Sequence, residues 1–163
     1  MVGLWDKPGI PHRGWRCVDV YDLREDGSTP EETNYATCEM CGHERIRFVH
    51  VLQHNEYENK IRVGCICAEK LTNNYINPKA KETNLAKKAA RKSKWLSRRW
   101  KTSKKGNPYL NIEGHNLTVF PNKFKPGFWK YQIDGQFSKD SYPTSEQAKM
   151  ALFEEFWGII SEE

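Results

Sequence analysis

The sequence predicts an α+β protein in three stretches. These are a cysteine-stapled hairpin and helix over residues 1–77, a basic linker helix over 78–105, and a small antiparallel sheet with a C-terminal helix over 106–163. Three observations carry this prediction. Two cysteine pairs, C-x-x-C at Cys38 and Cys41 and C-x-C at Cys65 and Cys67, bracket a segment of alternating apolar residues. Residues 79–105 hold twelve Lys or Arg against one acid, Glu82, so the rest of the chain is net acidic although the whole carries +5. Beyond residue 106, short alternating runs separated by turn residues lead into one amphipathic segment. At 163 residues, 37% of them apolar and 12% aromatic, the chain has an ordered composition. Its length suits one ordinary domain or two small ones, and a small domain needs support beyond its apolar core.

The segment MVGLWDKPGIPHRGW is broken by Pro and Gly and reads as an extended arm. GWRCVDVYDL, with Trp15, Cys17 and Val20 among its apolar positions, predicts a strand, and the polar REDGSTPEETNYA predicts a loop. After the C-x-x-C, ERIRFVHVLQ alternates Ile46, Phe48, His50 and Leu52 with Arg45, Arg47, Val49 and Val51, again a strand. NEYEN supplies a turn and KIRVG the returning strand, and CAEKLTNNY opens a short helix that stops near Asn77-Pro78. From Pro78 to Lys101 the pattern predicts one long helix. Leu85, Ala89, Leu96 and Trp100 form its buried stripe. Lys87, Arg91, Lys94, Arg98 and Lys101 form one basic ridge, Lys81, Lys88, Lys92 and Arg99 a second, and Trp95 lies between them.

TSKKGNP ends that helix, and PYLNIEG, NLTVFP and GFWKYQIDGQFS predict three or four strands with a tight turn at Asp134-Gly135. Of their aromatics, Tyr109, Phe124, Trp129 and Tyr131 are expected mainly in the core. Thr144 is placed to cap a final helix, with Gln147 reaching back to it. Ala148, Leu152, Phe153, Phe156, Trp157 and Ile160 recur at helical spacing and should cover one face of the sheet.

The cysteine spacing is suited to zinc, which takes four thiolate or imidazole donors in a tetrahedron. A C-x-x-C knuckle aims two sulfurs at one point. Twenty-three residues separate Cys41 from Cys65, enough for one hairpin that returns the chain to a helix start bearing the other sulfurs. Knuckle, hairpin and helix-start ligands define a treble-clef-like unit. The expected ligands are Cys38, Cys41, Cys67 and Cys65, with Cys65 the least secure because the second pair is C-x-C; His50 or His54 is the alternative fourth ligand. Four cysteines would close the coordination sphere, so the zinc is expected to hold structure. Cys17 is expected as a buried thiol, and His43 as a residue that caps the knuckle.

Cys38, Cys41, Gly42, Val63, Gly64, Cys67, Ala68 and Leu71 spell C-x-x-C-G followed by V-G-x-x-C-A-x-x-L. This run resembles a group of small bacterial and bacteriophage zinc-knuckle proteins. The resemblance implies a metal-held fold and supplies no activity. HNEYEN, at His54-Asn55, is similar to the central His of HNH-type nucleases, but the later Asn and metal-binding His have no counterpart here. The H-x-E and P-C-x-x-C elements of zinc deaminases are absent. The C-terminal sheet and helix resemble, at the level of fold, the arm-type DNA-binding domains of phage integrases and, more distantly, double-stranded-RNA-binding folds.

No run approaches the ~18 apolar residues of a membrane span, and no secretory signal precedes the first strand, so a reducing cytoplasm is expected. The segregated positive charge suits a polyanion. The expected function is non-catalytic binding of nucleic acid, DNA or RNA, through Lys87, Arg91, Lys94, Trp95, Arg98, Arg99 and Lys101, with zinc as cofactor and no small-molecule substrate. The alternative is a protein-interaction module, a bacterial or phage adaptor or inhibitor docking on an acidic protein surface. An HNH-type nuclease is the minor alternative.

Overall fold

The computed structural model describes residues 3–24 and 28–161, so residues 25–27 of the predicted polar loop lie outside the described residues. The chain divides into two compact units, Met1–Ala90 and Arg91–Glu163. The basic stretch 78–105 is therefore shared between them rather than standing as a unit of its own.

The first unit holds a three-stranded antiparallel sheet in the order β1-β2-β3, formed by β1 (Arg16–Asp22), β2 (Phe48–His54) and β3 (Tyr57–Val63). β1 pairs with β2 across a bulge between Cys17 and Asp19, and β2 turns back into β3 with His54 opposite Tyr57. Helix α1 (Cys65–Thr72) follows at once, then α2 (Asn77–Ser93). Trp15, Met40, Val49, Leu52, Ile61, Val63 and Leu71 pack as one core. The N-terminal arm, expected to be extended, makes a 3-10 turn over Leu4–Asp6 instead. Its amides bond the knuckle, Leu4 to the Glu39 carbonyl at 2.8 Å and Trp5 to the Met40 carbonyl at 3.1 Å. Gly3 permits this approach, since a Cβ there would stand 2.0 Å from the Met40 carbonyl oxygen.

The second unit is a five-stranded antiparallel meander of β4 (Lys101–Thr102), β5 (Pro108–Ile112), β6 (His115–Pro121), β7 (Trp129–Ile133) and β8 (Gln136–Phe137), with α3 (Ser145–Ser161) on one face. Strand alternation sorts the residues by face. Leu110, Leu117, Val119, Tyr131 and Ile133 point to α3 and pack on Ala148, Leu152, Phe153 and Phe156. The cap is as expected from Thr144: its hydroxyl accepts the Gln147 amide at 3.1 Å. The Asp134-Gly135 turn joins β7 to β8.

The long helix expected to reach Lys101 ends at Ser93. Its last bonds tighten to three-residue spacing, Lys94 to the Arg91 carbonyl and Trp95 to the Lys92 carbonyl. The reason is Trp95, which leaves the helix and enters the core of the second unit at 0% exposure, its indole N–H donating to the Lys149 carbonyl at 2.7 Å. It packs on Phe153, Phe156 and Trp100. The proposed stripe therefore does not exist as such; Ala89 is buried, while Leu96 is 45% exposed. No helix among the described residues is long and apolar enough to cross a membrane.

Candidate functional site

The knuckle is built by a turn at Cys38–Cys41 flanked by an Ala36–Ile46 bridge. The Gly42 amide donates to the Cys38 carbonyl at 2.8 Å, and Gly42 sits at φ +80°, where a side chain would be strained. The β2–β3 hairpin then returns the chain so that Cys67, in the first turn of α1, meets the knuckle. The sulfurs of Cys38, Cys41 and Cys67 lie within 4.8 Å of one another. Cys38 and Cys67 are buried, and Cys41 is exposed. A hydrogen bond from Cys67 pulls Cys38 down to about 5; amides at Cys41, Gly64 and Met40 add to this, against the opposing effect of burial. The Cys67 thiol is raised, since its proton is held against the Cys38 sulfur.

This cluster can hold a metal ion. Two sulfurs on a tetrahedral zinc, each at about 2.3 Å, stand about 3.8 Å apart, an edge that three sulfurs within 4.8 Å of one another can meet. The described residues bring three cysteines together, not four, so the closed four-cysteine set expected from sequence is corrected. Cys65 is the residue that drops out. A C-x-C pair brings both sulfurs to one ion in extended chain, where side chains two residues apart share a face. Cys65 is instead the first residue of α1, and on a helix positions i and i+2 diverge by about 200°.

Cys65 lies with His50 and Glu82 in a second group, whose ligand atoms are also within 4.8 Å of one another. Burial and then the Glu82 carboxylate push the Cys65 thiol up to about 12. Burial works to raise Glu82, but the neighbouring His50 imidazole, 3.4 Å away, and the Cys65 thiol outweigh it and hold the carboxyl below its usual range. His54 is not a ligand alternative. Its Nδ1 accepts the Glu56 amide at 2.9 Å, so Nε2 carries the proton and donates to the Arg13 carbonyl at 2.8 Å. Cys17 is half-buried and donates to the Asp19 carbonyl, rather than lying in the core as expected.

The predicted basic ridge fares unevenly. Lys87, Lys94, Arg98, Arg99 and Lys101 are exposed. Arg91 is not presented outward as expected, because it pairs with Glu113 at 3.0 Å and lies over the Phe156 and Trp157 rings. Trp95 is enclosed, so the stacking role predicted for it is lost; a base cannot reach a ring with no exposed surface.

A different surface of the second unit gathers aromatics and charge. The sheet face away from α3 opens into a groove of about 1000 Å³, lined by Lys104, Lys105, Lys123, Lys130, Phe120, Phe124 and Phe137 together with Asn107, Thr118 and Gln132. No acid lines it. Phe124 is 89% exposed and Phe137 68%, and Phe137 meets the Phe120 ring edge-on at 5.6 Å. Phe120 stands beside Lys130 across the β6–β7 ladder. Of the four aromatics expected mainly in the core, Tyr131 is buried and Trp129 and Tyr109 are half-buried, but Phe124 is on the surface. Phe120 and Phe137 were missed, although the alternation of Phe120 with Val119 already assigned it to the face opposite the core.

Neither a protein-family model, a curated protein nor a solved structure matches this chain.

Proposed function

We propose that this protein binds single-stranded nucleic acid on the open face of its five-stranded sheet and does so without catalysis. The observation that carries the reading is the groove with four lysines, three accessible phenylalanines and, among the described residues, no acid. Exposed rings cost solvation and gain nothing from the core; bases from an unpaired strand would cover them by stacking. Lysines around the rings would neutralise the phosphates that join those bases. In the first unit, zinc held by Cys38, Cys41 and Cys67 staples a knuckle, a hairpin and a helix start in a treble-clef-like arrangement, which supports a small core. Three sulfurs leave a fourth ligand to be supplied, but no carboxylate or imidazole among the described residues joins the cluster to act as a base. That favours a structural metal.

Fluorescence anisotropy with labelled single-stranded DNA, single-stranded RNA and a duplex of equal length, over a salt series, tests the proposal. Phe124→Ala with Phe137→Ala should weaken single-strand binding by about 1–3 kcal/mol for each base that loses its stack. Lys123→Ala with Lys130→Ala should flatten the salt slope by about 0.7 for each lost contact. No binding at low salt, or binding indifferent to both double variants, sinks the reading. Loss of binding only on replacing Lys94, Arg98 and Arg99 would return the site to the basic segment.

A further inference from the structure

The geometry points to a second metal site in the N-terminal unit, at His50, Cys65 and Glu82, that takes a divalent transition cation of the zinc type and pins the first turns of α2. The three donors come from three elements: β2, the first residue of α1 and the second turn of α2. One nitrogen, one sulfur and one carboxylate oxygen converge within 4.8 Å. Such a mixed set is borderline between hard and soft, which is the preference of zinc and of its spectroscopic substitute, cobalt(II).

His50 is the independent sign that something belongs there. Its side chain is 0% exposed, and neither ring nitrogen has a hydrogen-bond partner among the described residues. A buried imidazole left so is costly, and its occurrence in a native core calls for a ligand. Among the described residues its ion-pair partner is Glu82, with Nε2 3.4 Å from Oε2. That is longer than the ~2.7–2.9 Å of a charge-assisted hydrogen bond. It equals the edge of a tetrahedron whose nitrogen and oxygen each lie about 2.0–2.1 Å from the ion, an edge of about 3.4 Å.

Glu69, one turn after Cys65 on α1, extends the set. Its Oε1 is 3.9 Å from the Cys65 sulfur, and among the described residues its buried Oε2 has no hydrogen bond and one ion pair, to Lys79 at 3.5 Å. Glu69 brings a second carboxylate to this side of the Cys65 sulfur, and a divalent cation would answer the added negative charge. Glu82 is also the sole acid in the basic stretch 79–105, a placement that a solvated helix face does not explain and a ligand does. The group is not a nucleophile and base: His50 is enclosed, so no substrate reaches it. The consequence is mechanical. α2 buries only Pro78 and Ala89 of its seventeen residues, so a bond from Glu82 to a shared ion would be its firmest tie to the sheet.

Purified protein loaded with zinc, desalted and measured by elemental analysis should hold about two ions per chain. Glu82→Gln, which keeps size and sits partly at the surface, should hold about one. Loaded with cobalt(II), that variant should keep the sulfur-to-metal charge-transfer band of the three-cysteine site undiminished, whereas Cys41→Ser should lose most of it. Circular dichroism of Glu82→Gln, together with Cys65→Ser as a second variant, keeps folding and binding separate. One ion in the unsubstituted protein, two in Glu82→Gln, or the loss of both from a folded Glu82→Gln would each overturn the second site.

Discussion

Asp22 is nearly sealed from solvent at the end of β1, and Arg47 grips both of its oxygens, at 2.8 and 2.9 Å. Arg47 in turn is raised above its usual range, first by this hydrogen bond. A buried carboxylate tolerates its site only while its partner remains, because the desolvation it has already suffered is not refunded when the partner leaves. Arg47→Met should therefore cost about 3–5 kcal/mol, less whatever the Arg24 amide, 2.9 Å from Asp22, recovers. The urea midpoint of the N-terminal unit measures it, and a shift below 1 kcal/mol would mean that the carboxylate finds water. Single residues were also where the sequence was least legible. Cys38, Cys41 and Cys67 could be read because a knuckle and a helix start constrain sulfur direction. Cys65 could not, because one residue's difference in where α1 begins turns it to another side, beside His50.

Among elements, the helices were legible at their starts and not always at their ends. Thr144 announces α3, and its hydroxyl does accept the Gln147 amide. Thr144→Ala should lower the stability of the second unit by about 1 kcal/mol, seen as a reduced midpoint in thermal melting, while Thr144→Ser should lose little. Nothing in the basic stretch marks the end of α2 at Ser93 with comparable force, since Lys, Arg, Leu and Ser all continue a helix readily. A tertiary demand decides it: burial of a whole indole with its N–H satisfied outweighs a few residues of propensity. The strands were legible as alternation, which sorts residues into two faces. It sets Phe120 opposite Val119, but Phe124 lies in a turn and Phe137 on a two-residue strand, where alternation says little; the packing of Ala148, Leu152, Phe153 and Phe156 on Leu117, Val119 and Ile133 identifies their side as the open one.

At the scale of the whole molecule, the two units should respond differently to loss of metal. The first gathers all of the chain's cysteines and both groups of metal donors. The second has none of them, and its core of Trp95, Leu110, Leu117, Val119, Tyr131, Ile133 and the buried face of α3 is closed chiefly by apolar packing. Metal binding is folding energy for a small unit, and a chelator removes that term while leaving hydrocarbon burial untouched. Excess chelator should thus expose the amides of β1, β2, β3 and α1 to hydrogen exchange and leave β5, β6, β7 and α3 protected. It should also make the cysteine thiols titratable with a thiol reagent. The proposed nucleic-acid face belongs wholly to residues 103–137. Single-strand affinity should accordingly survive chelation within about threefold, a difference of about 0.7 kcal/mol at RT of about 0.59 kcal/mol. If affinity falls with the metal by tenfold or more while β6 and β7 stay protected, the binding surface includes the metal-held unit, and the sheet face alone is not the site.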